Sequence, residues 1–585
     1  SSSRRRVANM WRALLLVGSL AVGAAAQPPA WDVAADTWSA VDDLGRVLPM
    51  GPDEARSVQQ DRFVGMFYFA WLGNHTKELH DLTKILAANP EEPEYGPVGV
   101  FHHWGEPLFG YYFSEDEWVV AKHAHMLSVA GVDTIILDVT NAFTYDKTVQ
   151  QLCAVWSKLR ELGQATPQIM FITHSSAAAT VTRLYENFYE PGLSPELWFR
   201  WQGKPLMLWD GSELPAEVAD FFTLRRSWAW ANNPDGWFAD GRDAWPWLDH
   251  HPQTPGWHTS PDEPEHISVS LAQHPVGNIG RSFHDGAQPA DPPTDEGLCF
   301  AEQAARALEV DPQFVYVTGW NEWVAQRFIN EGGIRMMGRP LPQGGTFFVD
   351  CYNQEFSRDI EPMQGGHGDN YYWQLVDFVR RYKGVRPAPS ASAAVPAPLK
   401  VADAGWDAVQ PEFRAQYGLP AVRDAEGFGG LRYENRTQRA EFARAKLTYD
   451  AQTVYAWVEC TQPIGAAAGD VWMNLLADTD GDPSNGWHGY DLLVNRQRDA
   501  QGRASIETWV GADWLLVGWA PLAVEGARLQ VDLPWWALGW TAGGPRRVDF
   551  KWADNAGLPD QLEDWWWQGS VAPLGRFRYM WQPDL

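Results

Sequence analysis

From Phe63 to Tyr382 the chain alternates between short apolar runs and stretches of helical periodicity. The runs 63–71, 134–139, 168–173, 205–210, 224–230, 266–271, 314–320 and 346–350 are almost continuously apolar, the pattern of parallel strands covered on both faces. Between most of them the spacing predicts helices over 114–130, 148–162, 177–185, 302–308 and 371–382. The first is the clearest. Trp118, Val119, Ala121, His125, Met126 and Val129 recur with helical period, Ser114 and Glu117 suit a capping box, and Gly131 suits the end. Eight strands alternating with helices over residues 30–385 predict an α/β fold, a (β/α)8 TIM barrel with long loops. A doubly wound open sheet is the second choice, but no Gly-rich phosphate loop follows any strand.

A second body is predicted over 400–585. Alternating segments at 444–449, 453–459, 471–477, 505–510, 528–532 and 547–552 are separated by Gly, Asp and Pro turns, which predicts an antiparallel β-sandwich domain. Residues 386–399 are rich in Pro, Ala and Ser and read as a semi-stiff linker. At the other end, Arg4–Arg6 and Arg12 flank an apolar run that closes in Ala24-Ala25-Ala26. Residues 1–26 therefore read as a signal peptide, predicting a secreted or periplasmic protein with no membrane span once it is removed.

Charge narrows the partners. The 46 Lys+Arg stand against 74 Asp+Glu, a net charge of −28, which opposes binding to an anionic nucleic acid backbone. Four Cys cannot staple a scaffold of this size. Trp is the outlier: 34 residues, several times its usual share. Some serve cores, but an excess suits carbohydrate, whose C–H face stacks on aromatic planes while its hydroxyls meet carboxylates and amides.

In a barrel of this kind the chemistry lies at the C-terminal strand ends. The residues found there are polar groups set among aromatics. Trp71 ends the first run. A short run at 98–101 leads to His102, His103, Trp104 and Glu106. Asp138 and Asn141 end the next run, and His174 the one after. Trp209, Asp210 and Trp228 follow. Then come Trp320, Asn321, Glu322 and Trp323, and finally Glu355 and Asp359. Cleavage of a glycosidic bond needs a proton donor and a second carboxylate. No His spacing builds a zinc site, and no cofactor is required for such catalysis.

The sequence Gly319-Trp320-Asn321-Glu322-Trp323 resembles the Trp-Asn-Glu-Trp signature of glycoside hydrolase family 99 and its family 71-like relatives. The run Phe67-Tyr68-Phe69-Ala70-Trp71 resembles their first strand. The resemblance implies a barrel and a catalytic role for Glu322. In that family a second Glu follows three positions later; Ala325 stands there in this chain. Substrate and mechanism are therefore not carried over, and the partner carboxylate is left among Asp138, Glu355 and Asp359, with Glu106 behind them.

The second body resembles family 9 carbohydrate-binding modules, through Ala477-Asp478-Thr479-Asp480-Gly481-Asp482, Gly486-Trp487-His488-Gly489-Tyr490-Asp491 and Asp564-Trp565-Trp566-Trp567. Asp478, Asp480 and Asp482 offer hard oxygen ligands for a structural calcium, or form an Asp/Gly turn. On a strand, three consecutive Trp cannot all face one core, so Trp566 is a candidate sugar platform. Two readings follow: a glycoside hydrolase acting on a polysaccharide or oligosaccharide, and an exported carbohydrate-binding protein without catalysis.

Overall fold

The computed structural model describes residues 33–48, 54–229, 238–273, 277–387, 391, 400–466, 471–541, 547–556 and 564–583. The proposed signal peptide, nearly all of the linker and Trp230 lie outside them.

Seven parallel strands form the centre of the first body: β1 (Phe63–Tyr68), β2 (Thr134–Asp138), β3 (Gln168–Ile172), β4 (Lys204–Trp209), β5 (Thr223–Arg226), β6 (Pro264–Ser270) and β7 (Phe314–Thr318). Each coincides closely with one of the apolar runs, and β2 and β7 are buried at every residue, as covered parallel strands must be. Their order in the sheet is β6-β7-β1-β2-β3-β4-β5, so the last strand in sequence pairs with the first and the sheet curls. Helices Glu117–Val129, Asp146–Glu161, Ala177–Leu184, Ala216–Phe221 and Leu298–Val310 occupy the crossovers, and Asn370–Lys383 follows β7.

The expected closed barrel of eight regular staves is present as this curled seven-stranded sheet. The run at 346–350 is not a barrel strand. Thr346–Phe348 folds back after Gly344-Gly345 and pairs antiparallel with Val324–Ile329, which pairs antiparallel with Phe101–His103. Beside β5 lies the irregular stretch 243–248, held by Arg226 N–H to Asp243 O (2.8 Å) and Trp245 N–H to Arg226 O (2.7 Å). Pro246 removes a ladder donor there, which explains why no regular strand forms, and no ladder joins this stretch to β6 among the described residues.

The first helix starts later than its capping box predicts. Asp116 is the N-cap, its carboxylate accepting from the Trp118 and Val119 amides, while Ser114 Oγ accepts instead from Leu72 N–H. Asp is as good a cap as Ser, and Asp116 also pairs with Arg423 of the second body.

Beside a small two-stranded sheet at Arg423–Glu426 and Arg432–Asn435, the second body is built on two large antiparallel sheets. One has eight strands, including Asn474–Asp478, Leu492–Arg498, Ala504–Val510, Val548–Asp554 and Arg578–Trp581; the other has five, centred on Phe442–Tyr449 and Thr453–Cys460. They meet through Phe413 against Phe550 and Tyr579, and Tyr449 against Trp581. The N-terminal Trp38–Ser39 joins this body, pairing with Tyr579 and Arg578 at the edge of the larger sheet. All four Cys are buried and unbridged. No helix among the described residues is long and apolar enough to cross a membrane.

Trp565–Trp567 is not a strand. Asp564–Trp567 is a single helical turn, and Trp566 is 2% exposed. Its Nε1 donates to Asp369 (3.0 Å) and its ring meets Tyr372 edge-on at 5.1 Å, so it seals the junction between the two bodies rather than offering an outer platform. Arg576 reinforces the junction by pairing with Asp369 at 2.6 Å.

Candidate active site

The C-terminal ends of the parallel strands open into a cleft of about 670 Å³. Four of the seven strands, β1, β2, β5 and β7, deliver lining residues at or just beyond their ends. Phe67 of β1 and Asp138 of β2 point inward, Trp71, Asn141 and Trp228 follow their strands, and Glu322 lies four residues beyond β7. The walls are aromatic. Phe67 stacks on Trp247 (5.2 Å, 23°), Trp71 lies nearly parallel to Tyr145 (5.9 Å, 9°), and Trp228 is stacked on His174 (3.5 Å, 10°).

Glu322 is held from behind. Its N–H donates to Asp359 Oδ1 (2.6 Å), its carbonyl accepts from Trp104 Nε1 (3.1 Å), and Arg358 Nη2 donates to its Oε2 (2.6 Å). Oε1 is thus the oxygen left for a ligand. Burial pushes this carboxyl well above the usual range; the Arg358 charge opposes that, while Asp350, Asp359 and Asp138 add to it. Asp138 is the second inward carboxylate. Oδ1 accepts from Thr140 N–H (3.0 Å) and Thr140 Oγ1 (2.7 Å), and Oδ2 accepts from Trp71 Nε1 (3.1 Å). Burial raises its pKa, and these three donors pull the other way by favouring the anion.

The other members of the tetrad face the framework. Asn321 Oδ1 accepts from Phe69 N–H (2.8 Å), tying this loop to the end of β1. Trp323 stacks on Trp104 (4.4 Å) and donates to the buried Glu361 (2.6 Å), and Trp320 packs against His123 and Tyr372. None of Trp104, Trp320, Asn321 and Trp323 lines the cleft.

Several further candidates also lie elsewhere. Glu355 is buried under the 280–296 loop, where it accepts from Ser282 N–H, Ser282 Oγ, Gln288 Nε2 and Thr294 Oγ1. Asp359 sits behind Glu322 as a positioning group, its carboxyl raised to about 6 chiefly by burial. Glu106 pairs with Lys84 (2.8 Å) and accepts from Tyr111 (3.0 Å) outside the cleft. His102 is bonded to the Tyr95 carbonyl (2.6 Å), and His103 is buried between Tyr111 and Phe428. Trp209 donates to Ser212 O (2.9 Å) and Asp210 accepts from Ser212 in the turn beyond β4. His174 does not line the cleft itself and stacks on Trp228, which does.

Sequence reasoning assigned no site role to Arg358, Asp350 or Trp247. Arg358 sits in a mixed-charge stretch that reads as a solvated loop, yet it is fully buried, with its guanidinium 4.9 Å from the Trp247 ring and 3.3 Å from Asp350 Oδ1. Asp350 adopts a left-handed backbone (φ 71°) and leaves its side chain 40% exposed at the cleft. Tyr316, beneath the floor, has a buried hydroxyl with no hydrogen-bond partner among the described residues.

In the second body the acidic set is Asp478, Asp480 and Asp491, whose oxygens come within 4.8 Å of one another. Asp482 is not part of it, because its carboxylate turns back onto Ser484. Arg578 already pairs with Asp478 at 2.9 Å.

No protein-family model and no curated protein matches the sequence. Among solved structures, the GH99 endo-alpha-mannosidase from Bacteroides thetaiotaomicron aligns at 14% identity and a TM-score of 0.32, over 55% of this chain and 98% of that one. The same enzyme in complex with BIS-TRIS-propane gives 14% identity and a TM-score of 0.31 over the same shares. No residue role is carried over from either.

Proposed function

We propose that the protein is a glycoside hydrolase built on a (β/α)8-type scaffold, with Glu322 as proton donor and Asp138 as the second carboxylate. One observation carries this reading: a single buried carboxyl with one oxygen held by Arg358 and the other turned to an aromatic-walled cleft. With Oε2 accepting from Arg358, a proton on Oε1 would face the leaving oxygen of a bound glycoside. Asp138, with three donors favouring its anion against the burial that raises it, would stabilise positive charge at the anomeric carbon or activate water. Burial raises both carboxyls, Glu322 well above its ordinary value and Asp138 against three donors that favour its anion, an ordering that suits Glu322 as the acid of the pair. The substrate is a saccharide whose ring faces rest on Trp71, Trp228 and Trp247. The basic and apolar segment before Gln27 suits export.

A second reading, sugar binding without cleavage, is favoured by the 2.6 Å contact between Glu322 and Arg358, which draws the carboxyl toward the anion. One experiment separates the two. Reducing-end release is measured on a panel of polysaccharides with wild type, Glu322→Gln and Asp138→Asn. Hydrolysis that falls at least ~100-fold in folded Glu322→Gln supports the enzyme. Wild-type-like turnover in that variant removes Glu322 from the mechanism, and no release by wild type from any glycan favours binding alone.

A further inference from the structure

The three-stranded sheet at the mouth of the cleft has its polarity reversed. An antiparallel sheet with one face in water ordinarily carries polar side chains there. In the middle strand, Val324, Gln326 and Phe328 share one face by pleat alternation. Gln326 is paired with Phe101 and Phe328 with Phe347, so both rings lie on that same face, and Phe328 stacks on Phe347 (5.5 Å, 26°). The other face carries His102 and Phe348, both buried. The face turned to the cleft is apolar and yet open: Phe328 and Val349, which both line the cleft, are each 37% exposed. Open apolar surface of this kind, continuous with a binding cleft, calls for an apolar cover.

This side of the cleft offers a sugar little. Gln326 donates its amide N–H to Gly99 O (2.7 Å), and the middle strand is laddered to a neighbour on each side, first to Phe101–His103 and then to Thr346–Phe348. Asp350, the charge next to Val349, leans on Arg358 (3.3 Å). A pyranose set against this face would exchange hydroxyl–water hydrogen bonds for contacts with carbon. The chain also says which end of a substrate belongs here. Glu322 lies two residues before Val324, and a group that protonates a leaving oxygen must sit beside the leaving group. We propose that this face receives the leaving group and that the leaving group is an apolar aglycone, alkyl or aryl, not a further sugar. The bond broken joins the anomeric carbon to the aglycone oxygen. That oxygen departs as an alcohol or phenol with the proton of Glu322, while water supplies the hydroxyl to the carbon and the proton that restores the acid.

The assignment of this end to the leaving group rests on the reading of Glu322 as proton donor, so binding and cleavage are measured separately. Binding is measured by calorimetry on Glu322→Gln with methyl, octyl and phenyl glycosides of glucose, mannose and galactose in both anomers, below micelle-forming concentrations, and with disaccharides of the same sugars. For at least one sugar the octyl glycoside should bind about tenfold or more tighter than the methyl glycoside, since each methylene buried against such a face adds about two- to fourfold. Methyl glycoside in excess should compete with it. Phe328→Ser and Val349→Ser, both at exposed positions, should each shrink the octyl-to-methyl ratio by about threefold or more when placed in the same background. Equal affinity for methyl and octyl glycosides, an unchanged ratio in both folded variants, or tighter binding of a disaccharide than of the octyl glycoside overturns the proposal. Hydrolysis of polysaccharides by wild type together with equal methyl and octyl affinities would sink the aglycone and leave the hydrolase. The expected ratios without cleavage of any glycoside by wild type would sink the hydrolase and leave the apolar subsite.

Discussion

Replacing Arg358 by Met tests the assignment of Glu322 as an acid. Arg358 is fully buried and its Nη2 bridges Glu322 Oε2 (2.6 Å) and Asp350 Oδ1 (3.3 Å), while Nη1 serves the carbonyls of Gln273 (2.8 Å) and Asp350 (3.1 Å). Met keeps the apolar stem against Trp247 and removes the cation. A hydrogen bond to a charged group contributes about 1.5–3 kcal/mol, which corresponds to roughly 1–2 pH units at the partner. Burial already holds the Glu322 carboxyl high; without the guanidinium it must rise further. A group that acts as proton donor is lost when it ionises, so the alkaline limb of kcat/KM should move up by that interval. Were Glu322 a base, the acid limb would move up instead and activity would fall near neutrality. The assay is kcat/KM against pH on a soluble glycan, with thermal unfolding as a check that the variant is folded. Arg358→Lys, which retains the charge, should shift the limb less. A folded Arg358→Met protein whose alkaline limb is unmoved or lowered would refute the acid assignment.

Three other outcomes are expected. Asp359 titrates at about 6 in the fold against an ordinary 3.8, so the fold binds the extra proton and wild type loses stability as pH rises through that interval. Asp359→Asn should lack this loss, and its Tm relative to wild type should therefore improve as pH is raised from below the ordinary value to above the folded one; a parallel pair of curves would contradict it. Trp566→Ala should cost about 3–5 kcal/mol at the junction and separate calorimetric unfolding into two transitions, whereas a single unshifted transition would show that the junction contributes little. Glu355→Gln should lower Tm by weakening the 280–296 loop yet leave kcat close to wild type; a folded variant slowed ~100-fold would return Glu355 to the chemistry.

Strand positions in the first body were legible because a parallel strand covered on both faces must be apolar at almost every position, as in β2 and β7. The same logic failed in two places. The stretch 243–248 carries Pro246 and two Asp-bounded Trp, so nothing marks it as lying beside β5. Residues 346–348 are apolar for another reason, pairing in a hairpin over the cleft. Site residues were legible where they follow a strand directly: Asp138, Trp71, Asn141, Trp228 and Glu322 all reach the cleft. Arg358 was not, because local charge pattern says nothing about which loop folds back beneath a strand end. Nor was the role of Trp566, whose partners Asp369 and Tyr372 lie almost two hundred residues away.

The tetrad itself shows why a motif and a mechanism are different things. Three of its four side chains never meet the cleft. Asn321 fastens the loop to Phe69, Trp323 to Glu361, and Trp320 fills the space against His123. Their combined effect falls on the remaining residue: the Glu322 backbone is gripped at its N–H by Asp359 and at its carbonyl by Trp104. Preorganised donors and acceptors are most effective when they cost no rearrangement at the moment of reaction. The framework therefore fixes one carboxyl in place at the cleft that Asp138 also lines. If that is the function of the framework, Asn321→Ala should act on Glu322 without touching substrate, lowering kcat far more than it raises KM. An effect confined to KM would mean that the clamp shapes the cleft and not the acid.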